Sequence, residues 1–194
     1  MILEVVKYGN PVLRQKGARL EKINAEIKQL IDDMLETMKA AKGVGLAAQQ
    51  VGRALQLTVL DVRGATDRPS TFEREGNVEE VNTVMPLVLI NPEIKTIGES
   101  VAGSEGCLSF PEIYGEISRP SLAEVRAMNE NWETIEFRCG GLLARAIQHE
   151  LDHLNGILFI DRMVRAEKEE LQPQLDELQA ATKEALKSRK DNPQ

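Results

Sequence analysis

GGLLARAIQHELDHLNG, residues 140–156, is bounded by glycines and holds no proline or β-branched run between them. The spacing predicts a short helix that opens after Gly140-Gly141 and ends at Gly156, a C-terminal cap. His149 and His153 stand four residues apart, about 400° of helical rotation, so their rings lie one above the other and can converge on a single ion. Glu150 points in an adjacent direction, where it can reach a water at that ion without ligating, as a general base must. These are the only 2 histidines of the chain. Together they form the H-E-x-x-H arrangement, but two imidazoles do not complete a catalytic metal site, and a third ligand is needed.

The surroundings of this helix predict the fold class. LQLTVLDV (55–62), LVLIN (87–91), LAEVRAM (122–128) and TIEFRC (134–139) are short, apolar or alternating, and bounded by turn residues, so they read as strands. Upstream, Ile23, Ile27, Leu30, Ile31, Met34, Leu35, Met38 and Ala41 recur at helical spacing over 23–42, with Gly43 placed to end that helix. The expectation is an α+β fold: small mixed or antiparallel sheets around a central metal-binding helix, followed by a C-terminal helix. Residues 1–165 read as one catalytic domain and 166–194 as that last helix with a short tail. Leu171, Leu175, Leu178 and Leu186 share one face of it, and Pro173 fits if it lies in the first turn. The polar, acidic stretch 64–85 shows no period and reads as a long, mobile surface loop.

Composition limits the function classes. The chain has 194 residues, 42% hydrophobic and 28% charged, which suits a single core. A formal charge of −7 argues against direct nucleic-acid recognition and against an anionic lipid partner. The opening residues lack an export signal, and no apolar run is long enough to span a bilayer, which predicts a cytoplasmic location and thiols in the reduced state.

Three sources of a third ligand remain open on the residues alone. Glu167, Glu169 or Glu170 would give the ligand set of a zinc protease. Cys107 with Cys139 would give a closed structural site, although the short C-x2-4-C spacing is missing. Cys107 alone would leave a position for water and make a hydrolase. Cys139 ends an apolar strand and reads as packing. KGVGLAAQQVG (42–52) combines glycines, small apolar residues and two glutamines into a closely approachable edge with an amide donor. It has neither a Walker lysine nor G-x-G-x-x-G, so it is not a phosphate loop.

In chain order, GVGLAAQQ, EGCLS and HELDH resemble the three signature motifs of bacterial-type peptide deformylases, and GNPVLR near the start belongs to the same resemblance. It implies Cys107, His149 and His153 as ligands of one divalent ion, ferrous iron in the cell, with zinc, nickel or cobalt able to replace it. It further implies Glu150 as the base, with the side chain of Gln50 and the backbone N–H of Leu108 as donors to the carbonyl oxygen. Gln49 receives no role. The implied substrates are nascent chains beginning with formyl-Met. Gly45 and Gly106 would flank the peptide, and Val44, Leu142 and Ala146 would line the methionine pocket. Arg145 reads either as the rim of that pocket or as a solvated helix charge. Ribosome contact through the C-terminal helix is expected to be transient. The stretch 64–85 is longer than in the most compact family members.

Overall fold

The computed structural model describes residues 1–191. The first helix, α1, spans Ala25–Ala40, and the Asn24 side chain caps it by accepting from the Ile27 N–H at 2.9 Å. Its buried face is Ile27, Leu30, Ile31, Met34 and Met38. The left-handed residue after the helix is Lys42 (φ 55) rather than Gly43, whose N–H closes the end by donating to Met38 O at 3.0 Å.

Seven strands form one antiparallel series: β1 (Gly45–Ala47), β2 (Leu57–Leu60), β3 (Ser70–Arg74), β4 (Asn77–Glu79), β5 (Leu87–Cys107), β6 (Phe110–Met128) and β7 (Thr134–Gly140). Their order is β1-β2-β5-β6-β7-β3-β4. All four predicted strands are present, but two are far longer than expected. Asn91-Pro92, which ends the strand predicted over 87–91, and Gly98 are irregularities inside β5. The register against β6 shifts between Ile90 and Glu93 and again between Ile97 and Ser100, and Asn91 (φ 51) and Gly98 (φ 82) absorb the bends. β5 can therefore run on to Cys107.

The expectation of an unpatterned loop over 64–85 is corrected. That stretch holds the β3–β4 hairpin, turned at Glu75 (φ 52) and Gly76 (φ 77) as a two-residue primed turn requires, and the single helical turn α2 (Val81–Val84). β3 pairs with β7 through Phe72↔Cys139, and Phe72 is fully buried, stacked on Phe137 at 4.7 Å. Phe72 is the one large buried side chain of the hairpin, and Met85 joins the same core cluster at the end of the stretch.

Helix α3 (Gly141–Leu154) runs through the centre, and its residues 142–154 are all buried. Leu143, Ile147, Leu151 and Leu154 pack on Leu60, Leu89 and Phe72 in one core cluster, while α1 packs on β2 and the start of β5 in a second. Gly141 (φ +66) begins the helix where a Cβ would collide with the carbonyl of Pro69. Helix α4 (Arg165–Asp191) packs Leu171, Leu175 and Leu178 against Phe110, Ile117 and Phe159 in a third cluster. Pro173 lies inside α4 and not in its first turn, so that part of the expectation fails. Among the described residues no helix is long and apolar enough to cross a membrane.

Candidate metal centre

Cys107 ends β5, and His149 and His153 face it from α3. One ligand atom from each lies within 4.8 Å of the other two. Cys107 Sγ is 3.2 Å from His153 Nε2, and the two imidazoles stand 5.0 Å apart at 69°. Thiolate and imidazole bonds to a first-row ion would separate the donor atoms by roughly 3.5 Å, so this trio fits one tetrahedrally bound divalent ion with a position left over. The other ligand sources do not converge here. Cys139 sits in the core with its thiol pushed up to about 12 by burial. On α4, Glu167 accepts from the Glu116 N–H and Glu169 pairs with Arg165.

A buried ionic network holds the trio. Glu105, two residues before Cys107, takes His149 Nδ1 at 3.0 Å and both arms of Arg119 at 2.6 and 2.9 Å. With Nδ1–H donating to a carboxylate, Nε2 of His149 is the nitrogen left for an ion. Arg119 also donates to Asp152 at 2.9 Å, which in turn accepts from Arg162 at 2.5 Å. Burial works against the charge of Glu105, yet the His149 and Arg119 hydrogen bonds outweigh it and bring the carboxyl down to about 2. His149 is likewise opposed by burial but raised well above its ordinary value by Cys107 and Glu105, whereas burial and the neighbouring His149 lower His153.

Arg145 is 9% exposed and donates to Glu105 Oε1, Ile117 O and Val101 O at 2.9, 2.7 and 2.6 Å. It is thus no solvated helix charge but a buried cation in the cavity wall.

Glu150 emerges beside the trio at the same depth. Its Oε2 is buried without a hydrogen-bond partner, and burial raises its carboxyl to about 7. Gly45 makes this possible, because a Cβ there would lie 2.8 Å from Glu150 Cδ. Gln50 presents its amide nitrogen 3.4 Å from Cys107 Sγ while its carbonyl oxygen accepts from the Ala47 N–H at 2.9 Å, which fixes the amide's orientation. The N-terminal segment ties these parts together. Val6 N–H donates to Gln50 O, Tyr8 N–H to Ser109 O, and Lys7 Nζ to Leu108 O at 2.8 Å. A cavity of ≈ 590 Å³ opens here, lined by every predicted site residue except His153, which lies beneath it at 1% exposure.

Sequence reasoning missed Glu105, Arg119, Asp152 and Lys7. Glu105 and Asp152 carried a signal, since each is a carboxylate inside a motif whose neighbours are apolar or ligating. Arg119 stands where alternation along β6 points inward, an unusual position for an arginine without a buried partner.

The family model for polypeptide deformylase matches residues 2–169. A peptide deformylase of Opitutus terrae is 43% identical over 189 residues, covering 96% of this chain and 98% of that relative. The crystal structure of a Synechococcus elongatus peptide deformylase in complex with actinonin superposes with a TM-score of 0.75 at 42% identity, covering 88% of this chain and 85% of its own. That of the Thermotoga maritima peptide deformylase gives 0.72 at 38%, covering 84% and 99%. With its three motifs gathered at one cavity and these likenesses spanning nearly its whole length, the chain belongs to the polypeptide deformylase family.

Proposed function

We infer that this chain is a metal-dependent amide hydrolase that removes the formyl group from the N-terminal formyl-Met of nascent polypeptides, releasing formate. The observation that carries this reading is the convergence of Cys107, His149 and His153 beside a buried carboxylate with an unpartnered oxygen. When bound, a divalent ion supplies Lewis acidity, which polarises the formyl carbonyl and makes water a nucleophile near neutral pH.

In this reading the remaining work falls to the chain's own groups. Glu150 takes a proton from the attacking water and returns it to the amine nitrogen as the C–N bond breaks, leaving formate and a free N-terminus. A carboxyl raised to about 7 suits both transfers. Gln50 Nε2 and the Leu108 backbone N–H donate to the carbonyl oxygen as charge grows on it. The peptide lies as an added strand between β1 and the end of β5, where Gly45 and Gly106 admit its backbone, and its methionine enters the apolar pocket of Val44, Leu142 and Ala146. Ferrous iron is the ion we assign in the cell, with zinc, nickel and cobalt as substitutes, because thiolate and imidazole accept all four. The reading also treats residues 1–165 as the catalytic unit, located in the cytoplasm, and 166–194 as a helix and tail that touch the ribosome transiently.

Anaerobically loaded protein is incubated with formyl-Met-Ala-Ser and with its acetyl counterpart, and formate, acetate and free amine are measured. Rapid deformylation is expected with much slower deacetylation, since an extra methyl in a tight site costs about 1–3 kcal/mol. Internal peptide cleavage without formate would reject the reading.

A further inference from the structure

Arg68 lines the same cavity beside Leu142 and Arg145, yet the chemistry above gives it no task. Its backbone is held in place. Immediately after it, Pro69 O accepts the Leu142 N–H at 3.1 Å and Ser70 Oγ accepts the Leu143 N–H at 3.0 Å, so Arg68 is fastened to the first turn of the metal-binding helix. The neighbouring arginines are engaged, Arg63 with Asp61 at 2.6 Å and Arg74 with Glu79 at 3.4 Å. Arg145 is engaged by Glu105 and two carbonyls. Among the described residues Arg68 has no carboxylate partner.

We propose that Arg68 is a specificity residue that favours formyl-Met peptides with an acidic side chain at residue 3, an inference that rests on the deformylase reading above. Side chains of an extended peptide alternate, so residues 1 and 3 face the same wall, about 7 Å apart, and residue 2 faces the other way. The wall that takes the methionine includes Leu142 and Ala146, and Arg68 is attached at its edge. A carboxylate leaving residue 3 on that side meets an exposed, uncommitted guanidinium whose fork matches it. Lys7 and Lys42 are the other cations of the cavity wall without a carboxylate partner among the described residues, but Lys7 donates to Leu108 O at 2.8 Å and Lys42 precedes Gly43 on the β1 side.

The test uses metal-loaded enzyme and C-terminally amidated formyl-Met-Ala-Xaa-Ser and formyl-Met-Xaa-Ala-Ser, with Xaa either Glu or its neutral isostere Gln. An exposed ion pair corresponds to a preference of about three- to fivefold in kcat/KM for Glu at residue 3, carried by KM and weakened by salt. The preference should vanish in Arg68→Gln, invert in Arg68→Glu and persist in Lys42→Gln. Equal rates with Glu and Gln at residue 3, a preference that survives Arg68→Gln, or one that appears at residue 2 instead would overturn the proposal. Absence of formate from all four peptides would refute the deformylase reading itself and this proposal with it.

Discussion

Cys107 and Cys139 are chemically the same residue put to opposite uses by their places in the chain. One ends a strand at the cavity, the other packs inside the sheet with its thiol held protonated. Cys107→Ser should lose most bound metal, because a hydroxyl is a far poorer ligand than a thiolate. Cys139→Ser should keep the metal and instead lose about 1–3 kcal/mol of stability from a buried hydroxyl without a partner. Elemental analysis and denaturant titration of both variants check this, and equal metal loss would reopen the two-cysteine site. At this scale the sequence was readable where residue type and spacing carried the chemistry, as with His149, Glu150 and His153. It was not readable where a residue's partner comes from a distant strand. Glu105 is recognisable only once Arg119 and Arg145 are seen around it.

Among the elements, α3 was legible because glycines mark both ends and its period is intact, and α1 because its apolar stripe is long. Only part of β5 and β6 is legible, because Asn91-Pro92 and Pro120 are punctuation in a sequence but bends in a paired strand. Those bends bring Glu105 and Cys107 to α3 from the far end of β5, so the pairing of strand to helix is itself testable. Glu105→Gln should weaken metal binding about 10- to 100-fold by loosening His149. The same variant should change the acid response. A carboxyl lowered from 4.5 to about 2 contributes stability that is present above pH 4.5 and drains as pH falls toward 2, an effect of about 3 kcal/mol. Unfolding of the metal-free proteins followed from pH 5 to pH 2 should show a shallower decline for Glu105→Gln than for wild type. On α4, Pro173 lacks the N–H that an interior position would donate, and its side chain is exposed. Pro173→Ala should raise stability by about 1–3 kcal/mol, read as an increase in Tm, and an unchanged or lower Tm would mean that the helix is built around the proline.

For the molecule as a whole, the metal trio joins the end of the long sheet strand to the central helix, so an ion that binds this arrangement and not the unfolded chain stabilises the entire fold. Chelation should therefore lower the Tm of wild type and leave that of Cys107→Ser nearly unmoved. The α+β class was legible from the alternation of strand and helix signals, whereas the β3–β4 hairpin was hidden because Phe72 is its only large buried side chain and its other positions are mostly polar, with Val78 exposed. What unites all scales is the claim that Glu150 moves protons beside a metal that it does not ligate. Formate release from formyl-Met-Ala-Ser, normalised to bound metal, should be compared between wild type and Glu150→Gln. Equal metal content with turnover lowered by at least about 100-fold is expected. Near-normal turnover, or metal lost in step with activity, would refute the assignment of Glu150 as the base.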